Sequence, residues 1–201
     1  ADDHRRRAHE VRAAAKKLGR EVGLLADLRG PKIRINQFVG GRIELEPGQH
    51  FTLDCHYDAA PGDRTRVGVA YLNLRNDVKR GDTLLLDDGL ISMKVDDIVG
   101  LEIRCTVIHG GTLSDRQGLN RLGGGLSVPA LTDRDRADVE LAAELGLDFL
   151  AVSFARSADD MHETRALLRK SGSGAALVAK IERAEAISVL GEIIDASDAV
   201  M

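Results

Sequence analysis

Aromatic residues are scarce in this sequence: Phe, Tyr and Trp make up 3% of its 201 residues, and Trp is absent. Proteins that hold single-stranded nucleic acids stack the bases on aromatic side chains, and membrane proteins place aromatic belts at the lipid interface. The net charge of -4 also differs from the clearly basic charge of most nucleic-acid-binding domains. We therefore expect neither a nucleic acid nor a membrane as a partner.

Several other signatures are missing as well. No apolar run is long enough to cross a bilayer, and the opening Ala1-Asp2-Asp3-His4 is not that of a signal peptide. The six His residues are scattered without an i, i+4 pair, which argues against zinc. The two cysteines, Cys55 and Cys105, have neither metal-type nor redox-type spacing. We expect both to be reduced on strands of a cytoplasmic protein.

The most informative stretch is residues 176–182, which read Ala-Leu-Val-Ala-Lys-Ile-Glu. The apolar run has the length of a strand buried on both faces. Because side chains alternate along a strand, Lys180 and Glu182 should project to the same side. Two opposite charges here can form a structural ion pair. They can also form a catalytic pair, since α/β enzymes keep their chemistry at the carboxyl ends of parallel strands.

The middle of the sequence differs in pattern from both flanks. Residues 35–125 alternate apolar and polar side chains, with frequent Gly and Pro turn signals, which predicts a small β-barrel or sandwich. Gly123-Gly124-Gly125 reads as a hinge out of this segment. We therefore predict three segments: an α/β segment over 1–34, an all-β domain over 35–125, and a second α/β segment over 126–201.

The flanking segments read as strand–helix units, which predicts a parallel sheet. The predicted strands cover residues 22–26, 148–154, 176–179 and 198–201. Two helices open with capping signals, at Thr132 and Ser157. The predicted inward-facing helix residues are Ala8, Val11, Ala15 and Leu18; Ala137, Leu141 and Leu145; Met161, Thr164 and Leu168; and Ile187, Leu190 and Ile194. Four strands cannot close an eight-stranded barrel, so we expect a fragment.

Six motifs in register resemble those of the pyruvate kinase family, over nearly the whole sequence. They are Asp27-Leu28-Arg29-Gly30-Pro31-Lys32-Ile33-Arg34, Leu86-Asp87-Asp88-Gly89-Leu90-Ile91, Gly118-Leu119-Asn120, Pro129-Ala130-Leu131, Val152-Ser153-Phe154-Ala155-Arg156-Ser157 and Ala179-Lys180-Ile181-Glu182. The resemblance implies an α/β fold, a partial (β/α)8 TIM-type barrel with an inserted small all-β barrel as a lid. The sequence would then run from the third barrel strand to the start of the sixth.

The same resemblance implies a reaction and its residues. The family transfers the phosphoryl group of phosphoenolpyruvate to ADP in glycolysis, with Mg²⁺ or Mn²⁺ as cofactor. By motif position, Lys180 is the catalytic lysine, Glu182 a metal ligand and Arg34 a nucleotide-contacting residue. Asp27 belongs to the monovalent-cation site, and Asp88 faces the cleft under the lid. The full-length protein is expected to be a cytoplasmic homo-oligomer.

The sequence departs from the family pattern near Gly118, where the usual lysine is Gln117, although Arg116 beside it can supply a charge. A second departure affects K⁺, which many family members require. Where the family has Thr and Glu, this sequence has Leu28, which offers no oxygen, and Lys32, which can stand in for the cation. At 4 Å an ammonium repels K⁺ by about 4 kcal/mol at intermediate dielectric. We therefore expect no K⁺ requirement, the alternative being neutral drift in an exposed turn.

Other interpretations remain open at this stage. The family's upstream phosphate-binding segment and its downstream Gly-Asp-Leu-Gly segment are absent from these 201 residues, so we expect the fragment alone to be inactive. Another phosphoenolpyruvate- or pyruvate-handling β/α-barrel enzyme would share much of the pattern. A non-catalytic module that binds a nucleotide or a partner would also fit the lid and half-barrel.

Overall fold

The computed structural model describes residues 1–56 and 60–201. The helices are α1 (Asp2–Lys17), α2 (Leu74–Asp77), α3 (Asp133–Glu144), α4 (Ala158–Lys170) and α5 (Leu190–Asp195), with 3-10 turns at Asp87–Gly89 and Ala184–Val189. The first six strands are β1 (Leu25–Asp27), β2 (Arg42–Leu45), β3 (His50–Asp54), β4 (Arg66–Gly68), β5 (Thr83–Leu86) and β6 (Ile91–Val99). The last six are β7 (Glu102–His109), β8 (Gly111–Ser114), β9 (Leu119–Arg121), β10 (Phe149–Val152), β11 (Ala176–Ala179) and β12 (Ala199–Val200).

The chain divides into two compact units, each with its own buried apolar core. The α/β unit comprises Ala1–Pro31 and Pro129–Met201, and the β unit comprises Lys32–Val128. The β unit is thus inserted between two parts of the α/β unit. Within the described residues no helix has the length and apolar character that crossing a bilayer requires.

The α/β unit is built on a four-stranded parallel sheet in the order β1-β10-β11-β12. Strands β10 and β11 are central and almost entirely apolar, because helices α3, α4 and α5 pack over them. This confirms the predicted α/β class. Strand β1 is shorter than the predicted 22–26 and lies at the edge of the sheet, so Val22 and Leu25 are exposed rather than buried.

Helix faces in this unit agree only in part with the prediction. Met161, Thr164 and Leu168 of α4 are buried as expected. In α3 the buried face is instead that of Asp135, Val139 and Ala142. The other residues predicted to point inward are at least partly exposed, with the exception of Ala8. They are Val11, Ala15 and Leu18 of the first helical region; Ala137, Leu141 and Leu145 of α3 and its cap; and Ile187, Leu190 and Ile194 of the last 3-10 turn and α5.

Polar contacts explain part of this difference for α1. Of its residues only Ala8 is buried. The guanidinium of Arg12 donates to the carbonyl oxygens of Leu145 (2.7 Å) and Gly146 (2.6 Å), at the C-terminal end of α3. Arg5 pairs with Glu144 at 2.7 Å. The helix is therefore attached to α3 through its arginines rather than through the predicted apolar stripe.

The β unit consists of a six-stranded sheet in the order β4-β3-β7-β6-β5-β9 and the separate pair β2-β8. Among the described strands of this unit, only β3 and β4 pair in parallel, and the other strand pairings are antiparallel. The predicted alternation is confirmed, since the inward positions of β3, β6 and β7 are buried. Cys55 and Cys105 are buried free thiols. Cys105 lies in β7 as predicted, whereas Cys55 directly follows β3 rather than lying on a strand. Burial raises the pKa of the Cys105 thiol to about 12.

Candidate functional site

The carboxyl ends of three neighbouring strands bring polar side chains together in the α/β unit. Asp27 is the last residue of β1, Ser153 follows β10, and Lys180 follows β11. Asp27 is level with Ala151, and Val152 is level with Ala179. Because the strands are parallel and adjacent, their ends meet at one edge of the sheet, where α/β folds place their sites.

The ammonium group of Lys180 is the centre of this cluster. Lys180 Nζ lies 3.0 Å from Asp27 Oδ2, 3.3 Å from Asp27 Oδ1, and 3.1 Å from Ser153 Oγ. Glu182 Oε1 is 3.5 Å away. The Ser153 hydroxyl in turn donates to Asp27 Oδ1 at 3.1 Å. The cluster therefore holds one cation between two carboxylates and a hydroxyl.

Burial and hydrogen bonding act in opposite directions on Lys180. Its side chain is 18% exposed, and this partial burial alone would lower the pKa of the ammonium. The hydrogen bond to Asp27 and the negative charges of Glu182 and Asp27 outweigh it and raise the pKa above its usual value. Lys180 is thus a fixed positive charge at neutral pH and not a general base.

Glu182 is oriented by the backbone of Phe154. The amide of Phe154 donates to Glu182 Oε2 at 3.2 Å. Phe154 has φ of 59°, a left-handed conformation that is costly for an aromatic residue. Such a conformation costs about 1–3 kcal/mol and persists where surrounding contacts hold it, most often at functional sites. This strain therefore directs an amide at one of the candidate site carboxylates.

The carboxylates provide the donor type that a hard divalent cation prefers. Mg²⁺ is usually bound by one or two protein carboxylates together with water and substrate oxygens. The side chain of Glu182 is partly exposed, and Asp27 contacts the same Lys180 ammonium. Within the described ranges no group of three or more His, Cys, Asp or Glu residues could hold a metal by itself. Glu182 thus fits as part of a metal site shared with a substrate.

The candidate nucleotide residues come together within the β unit. Arg34 pairs with Gly118 as an isolated bridge and donates from Nη1 to the carbonyl oxygen of Arg116 at 2.8 Å. The carbonyl oxygen of Gln117 accepts from the amide of Ile35 at 3.0 Å. Arg34 and Arg116 are both exposed at this place, whereas Gln117 is half-buried.

Lys32 and Asp88 lie beside the same segment. A Cβ atom added at Gly118 would lie 2.9 Å from Lys32 Cε, so the lysine side chain packs directly against this glycine. The amide of Asp87 donates to the carbonyl oxygen of Gly118 at 3.3 Å, and Asp88 follows with φ of 51° and an exposed side chain. Lys32, Arg34 and Arg116 thus give this surface three exposed cations, a charge that suits an anionic ligand.

Leu28 is 3% exposed and packs in the core of the α/β unit. Its amide donates to the carbonyl oxygen of Ala151 at 3.0 Å, which extends the pairing of β1 with β10. Leu28 therefore does not lie in an exposed turn, as the alternative interpretation assumed. Lys32, by contrast, belongs to the β unit and is exposed.

The sequence prediction missed Ser153, the backbone amide of Phe154, and Asp135 as parts of this region. A signal existed for Ser153, since it directly follows a buried strand, as Asp27 and Lys180 do. No signal in the sequence identified the Phe154 amide, because its role depends on a backbone angle. Asp135 was predicted only as a helix cap.

Comparison with known proteins places these motifs in context. A family model described as the barrel domain of pyruvate kinase matches residues 1–201. Pyruvate kinase II of Salmonella typhimurium and pyruvate kinase of Haemophilus influenzae are both 47% identical to this chain, over 100% of it. Pyruvate kinase of Corynebacterium glutamicum is 40% identical over 99% of the chain. In each case the chain spans 42% of the relative's length.

Proposed function

Since this chain belongs to the pyruvate kinase family, we propose that the full-length protein transfers the phosphoryl group of phosphoenolpyruvate to ADP, giving pyruvate and ATP in glycolysis. The fold is accordingly a part of a (β/α)8 barrel with an inserted all-β domain. The chain spans 42% of the length of its relatives, so the activity is proposed for the full-length protein. The isolated 201 residues are proposed to be inactive.

The observation that carries the proposal is the position of Lys180 Nζ, which lies within 3.5 Å of Asp27, Ser153 and Glu182. Phosphoryl transfer requires the protein mainly to position its substrates and to stabilise spread-out negative charge. A protonated, partly buried lysine provides such a charge with little reorganisation. We assign to Lys180 the stabilisation of the transferring phosphoryl group and of the enolate that it leaves behind.

Glu182 is proposed to hold the divalent cation, Mg²⁺ or Mn²⁺. When bound, the cation would supply Lewis-acid stabilisation of charge on the phosphoryl oxygens. The chain itself contributes the carboxylate and its orientation, through the 3.2 Å hydrogen bond from the Phe154 amide. Asp27 and Ser153 keep the Lys180 ammonium in place beside it.

Arg34 and Arg116 of the β unit are proposed to receive ADP. Arg34 is fixed by its bond to the Arg116 carbonyl oxygen, and its remaining guanidinium donors can bind a diphosphate in bidentate fashion. Arg116 then supplies the charge that Gln117 lacks. Asp88 is proposed to face the same ligand, and residues 35–125 to act as the lid domain.

The K⁺ proposal rests on the sequence. Leu28 cannot coordinate a cation, and Lys32 carries a charge that can replace one. We propose on these grounds that the enzyme requires Mg²⁺ or Mn²⁺ but not K⁺. A cytoplasmic location and a homo-oligomeric state are proposed on the same family grounds.

A lactate-dehydrogenase-coupled assay of the full-length protein with phosphoenolpyruvate, ADP and Mg²⁺ tests the function. Pyruvate formation that depends on ADP is expected in the wild type and is expected to be lost in Lys180→Ala. No pyruvate from the folded wild-type protein would favour a non-catalytic binding module. Pyruvate formed without ADP would instead favour another phosphoenolpyruvate-handling enzyme.

A further inference from the structure

Asp135 uses its two carboxylate oxygens for two different tasks. It is fully buried, and Oδ2 accepts hydrogen bonds from the amide (2.9 Å) and the hydroxyl (2.6 Å) of Thr132. Together with the bond from the Asp135 amide to Thr132 Oγ1, this completes the capping box of α3. Oδ1 instead accepts from the amide of Gly30 at 3.1 Å. This second bond is not needed for capping and connects α3 to the loop after β1.

Gly30 in turn packs tightly on the segment after β10. It has φ of 63°, and a Cβ atom at this position would lie 2.6 Å from Phe154 Cδ2 and 3.1 Å from the carbonyl oxygen of Ser153. Only glycine satisfies both the backbone angle and the close approach. The position of the Gly30 loop is therefore coupled to the positions of Ser153 and Phe154.

Both sides of this contact lead to the candidate site. Gly30 lies shortly after Asp27 in the chain, and Ser153 Oγ donates to Asp27 Oδ1 at 3.1 Å. On the other side, the Phe154 amide donates to Glu182 Oε2 at 3.2 Å. A shift of Gly30 would thus be transmitted to both carboxylates around Lys180.

We propose that Asp135 is a positioning residue of the active site. By holding the Gly30 amide it keeps this loop seated on Ser153 and Phe154, and thereby fixes the carboxylates of Asp27 and Glu182. It acts through these residues and does not itself bind a ligand. The inference rests on the proposed function, because it assumes that Glu182 serves a divalent cation.

The test compares Asp135→Asn with Thr132→Ala in the full-length protein. An amide in place of the carboxylate keeps the shape but replaces one acceptor by a donor. Because Thr132 donates two of the three hydrogen bonds, the remaining oxygen is expected to face Thr132, so that the amide group faces Gly30 and the bond from Gly30 is lost. Thr132→Ala removes the capping hydroxyl but leaves the bond between Gly30 and Asp135. It is therefore a matched control for the loss of the cap alone.

The main readout is the binding of Mn²⁺, followed by electron paramagnetic resonance of the free ion. Loss of an outer-shell partner commonly lowers metal affinity by about 10–100-fold. We expect roughly tenfold weaker Mn²⁺ binding in Asp135→Asn and a change of less than about twofold in Thr132→Ala. Equal Mn²⁺ affinities in the two variants, with equally lowered melting temperatures, would reduce Asp135 to a helix cap and overturn the inference.

Hydrogen exchange by mass spectrometry gives a readout that needs neither metal nor turnover. Peptides that contain Gly30 and Phe154 should exchange several-fold faster in Asp135→Asn than in Thr132→Ala.

If Asp135→Asn fails to fold, Gly30→Ala replaces it and should weaken Mn²⁺ binding with the cap intact. A wild type that binds Mn²⁺ without kinase activity would refute the proposed function alone. Unchanged exchange of both peptides in Asp135→Asn would refute the positioning role alone.

Discussion

Lys180 differs from a surface lysine because its ammonium lies within 3.5 Å of oxygen atoms of three residues and its side chain is only 18% exposed. Replacing it by Met keeps the length of the side chain and removes the charge. Since this charge is needed most when the phosphoryl group is in transfer, we predict that Lys180→Met lowers kcat by about 10³-fold or more. Phosphoenolpyruvate binding should change little. Steady-state kinetics and equilibrium titration check this, and equal losses in kcat and binding would contradict it.

Glu182 should behave differently from Lys180. Glu182→Gln keeps an oxygen that can accept from the Phe154 amide, but removes the charge that attracts a cation. We predict that the Mg²⁺ concentration for half-maximal activity rises roughly 10-fold or more, while the melting temperature stays close to that of the wild type. The Mg²⁺ titration of the full-length protein provides the measurement. An unchanged titration would remove Glu182 from the metal site.

Substitutions of Leu28 and Lys32 test the proposal that the enzyme does not require K⁺. We predict that the full-length wild type works at full rate without K⁺, and that Lys32→Glu with Leu28→Thr introduces a K⁺ requirement. Leu28 is in the core, so Leu28→Thr alone should cost about 1–3 kcal/mol of stability through its buried hydroxyl. This single variant is the control for stability. A wild type that accelerates many-fold on adding K⁺ at constant ionic strength would refute the proposal.

The parts of the site that depend on neighbouring residues in the sequence could be predicted, and those that depend on contacts between distant segments could not. Strand alternation predicted Lys180 and Glu182 on one side, and although both follow the end of β11, Lys180 Nζ and Glu182 Oε1 lie 3.5 Å apart. Asp135 and Gly30 meet only because α3 packs against a loop 105 residues away in sequence. Neither their pairing nor the strained backbone of Phe154 follows from composition or periodicity. The sequence therefore predicted the charged residues of the site but not the residues that position them.

At the scale of elements, strands were predicted better than helix faces. In the β unit a period of two leaves only two possible faces, and the burial of Phe51, Leu53 and Cys55 follows from the alternation. A helix in an α/β unit can turn any side to the sheet. In α3 the small Ala142 and the capping Asp135 face the core, while Leu141 does not. Hydrophobicity alone could not select that face.

An ion pair between Arg121 and Asp82 connects β9, the last strand of the β unit, to the segment before β5. Arg121 of β9 donates from Nε to Asp82 Oδ2 at 2.8 Å, and from Nη1 to the carbonyl oxygen of Gly124 at 3.0 Å. Burial alone would raise the pKa of Asp82, but the hydrogen bond from Arg121 and that from the Lys79 amide outweigh it and lower the pKa. Because the pKa of this carboxyl is lower in the folded than in the unfolded protein, its ionisation stabilises the fold at pH values above the unfolded pKa of about 3.9. This stabilisation is lost as the pH falls through the folded-state pKa.

We therefore predict that Asp82→Asn destabilises the β unit at pH 7 by roughly 1–3 kcal/mol, and by progressively less below about pH 4. The measurement is labelling of the buried Cys105 by a pyridyl disulfide, read by mass spectrometry and compared with the wild type at the same pH. The exposed Asp97 supplies the control variant Asp97→Asn, which should label like the wild type. A difference for Asp82→Asn that is constant from pH 7 to pH 3 would contradict the assignment.

At the scale of the whole molecule, each of the two units has its own buried apolar core. Both units also expose some apolar side chains on their strands, such as Leu25 on β1 and Val99 on β6. The fully buried residues of the β unit include Leu84, Met93 and Ile103. Ile33 and Leu126, near the two ends of this unit, also belong to its core. The β unit thus has what a domain needs to fold by itself.

We predict that a protein consisting of Lys32–Val128 folds cooperatively, with dispersed amide signals in an NMR spectrum and a single urea transition. Leu84→Ala should lower its unfolding free energy by about 2–5 kcal/mol, because it opens a cavity in the core. Thr112→Ala, at an exposed residue of β8, should cost less than about 1 kcal/mol and serves as the control. Collapsed signals in the NMR spectrum, or a Leu84→Ala variant as stable as Thr112→Ala, would show that this core forms only within the complete chain.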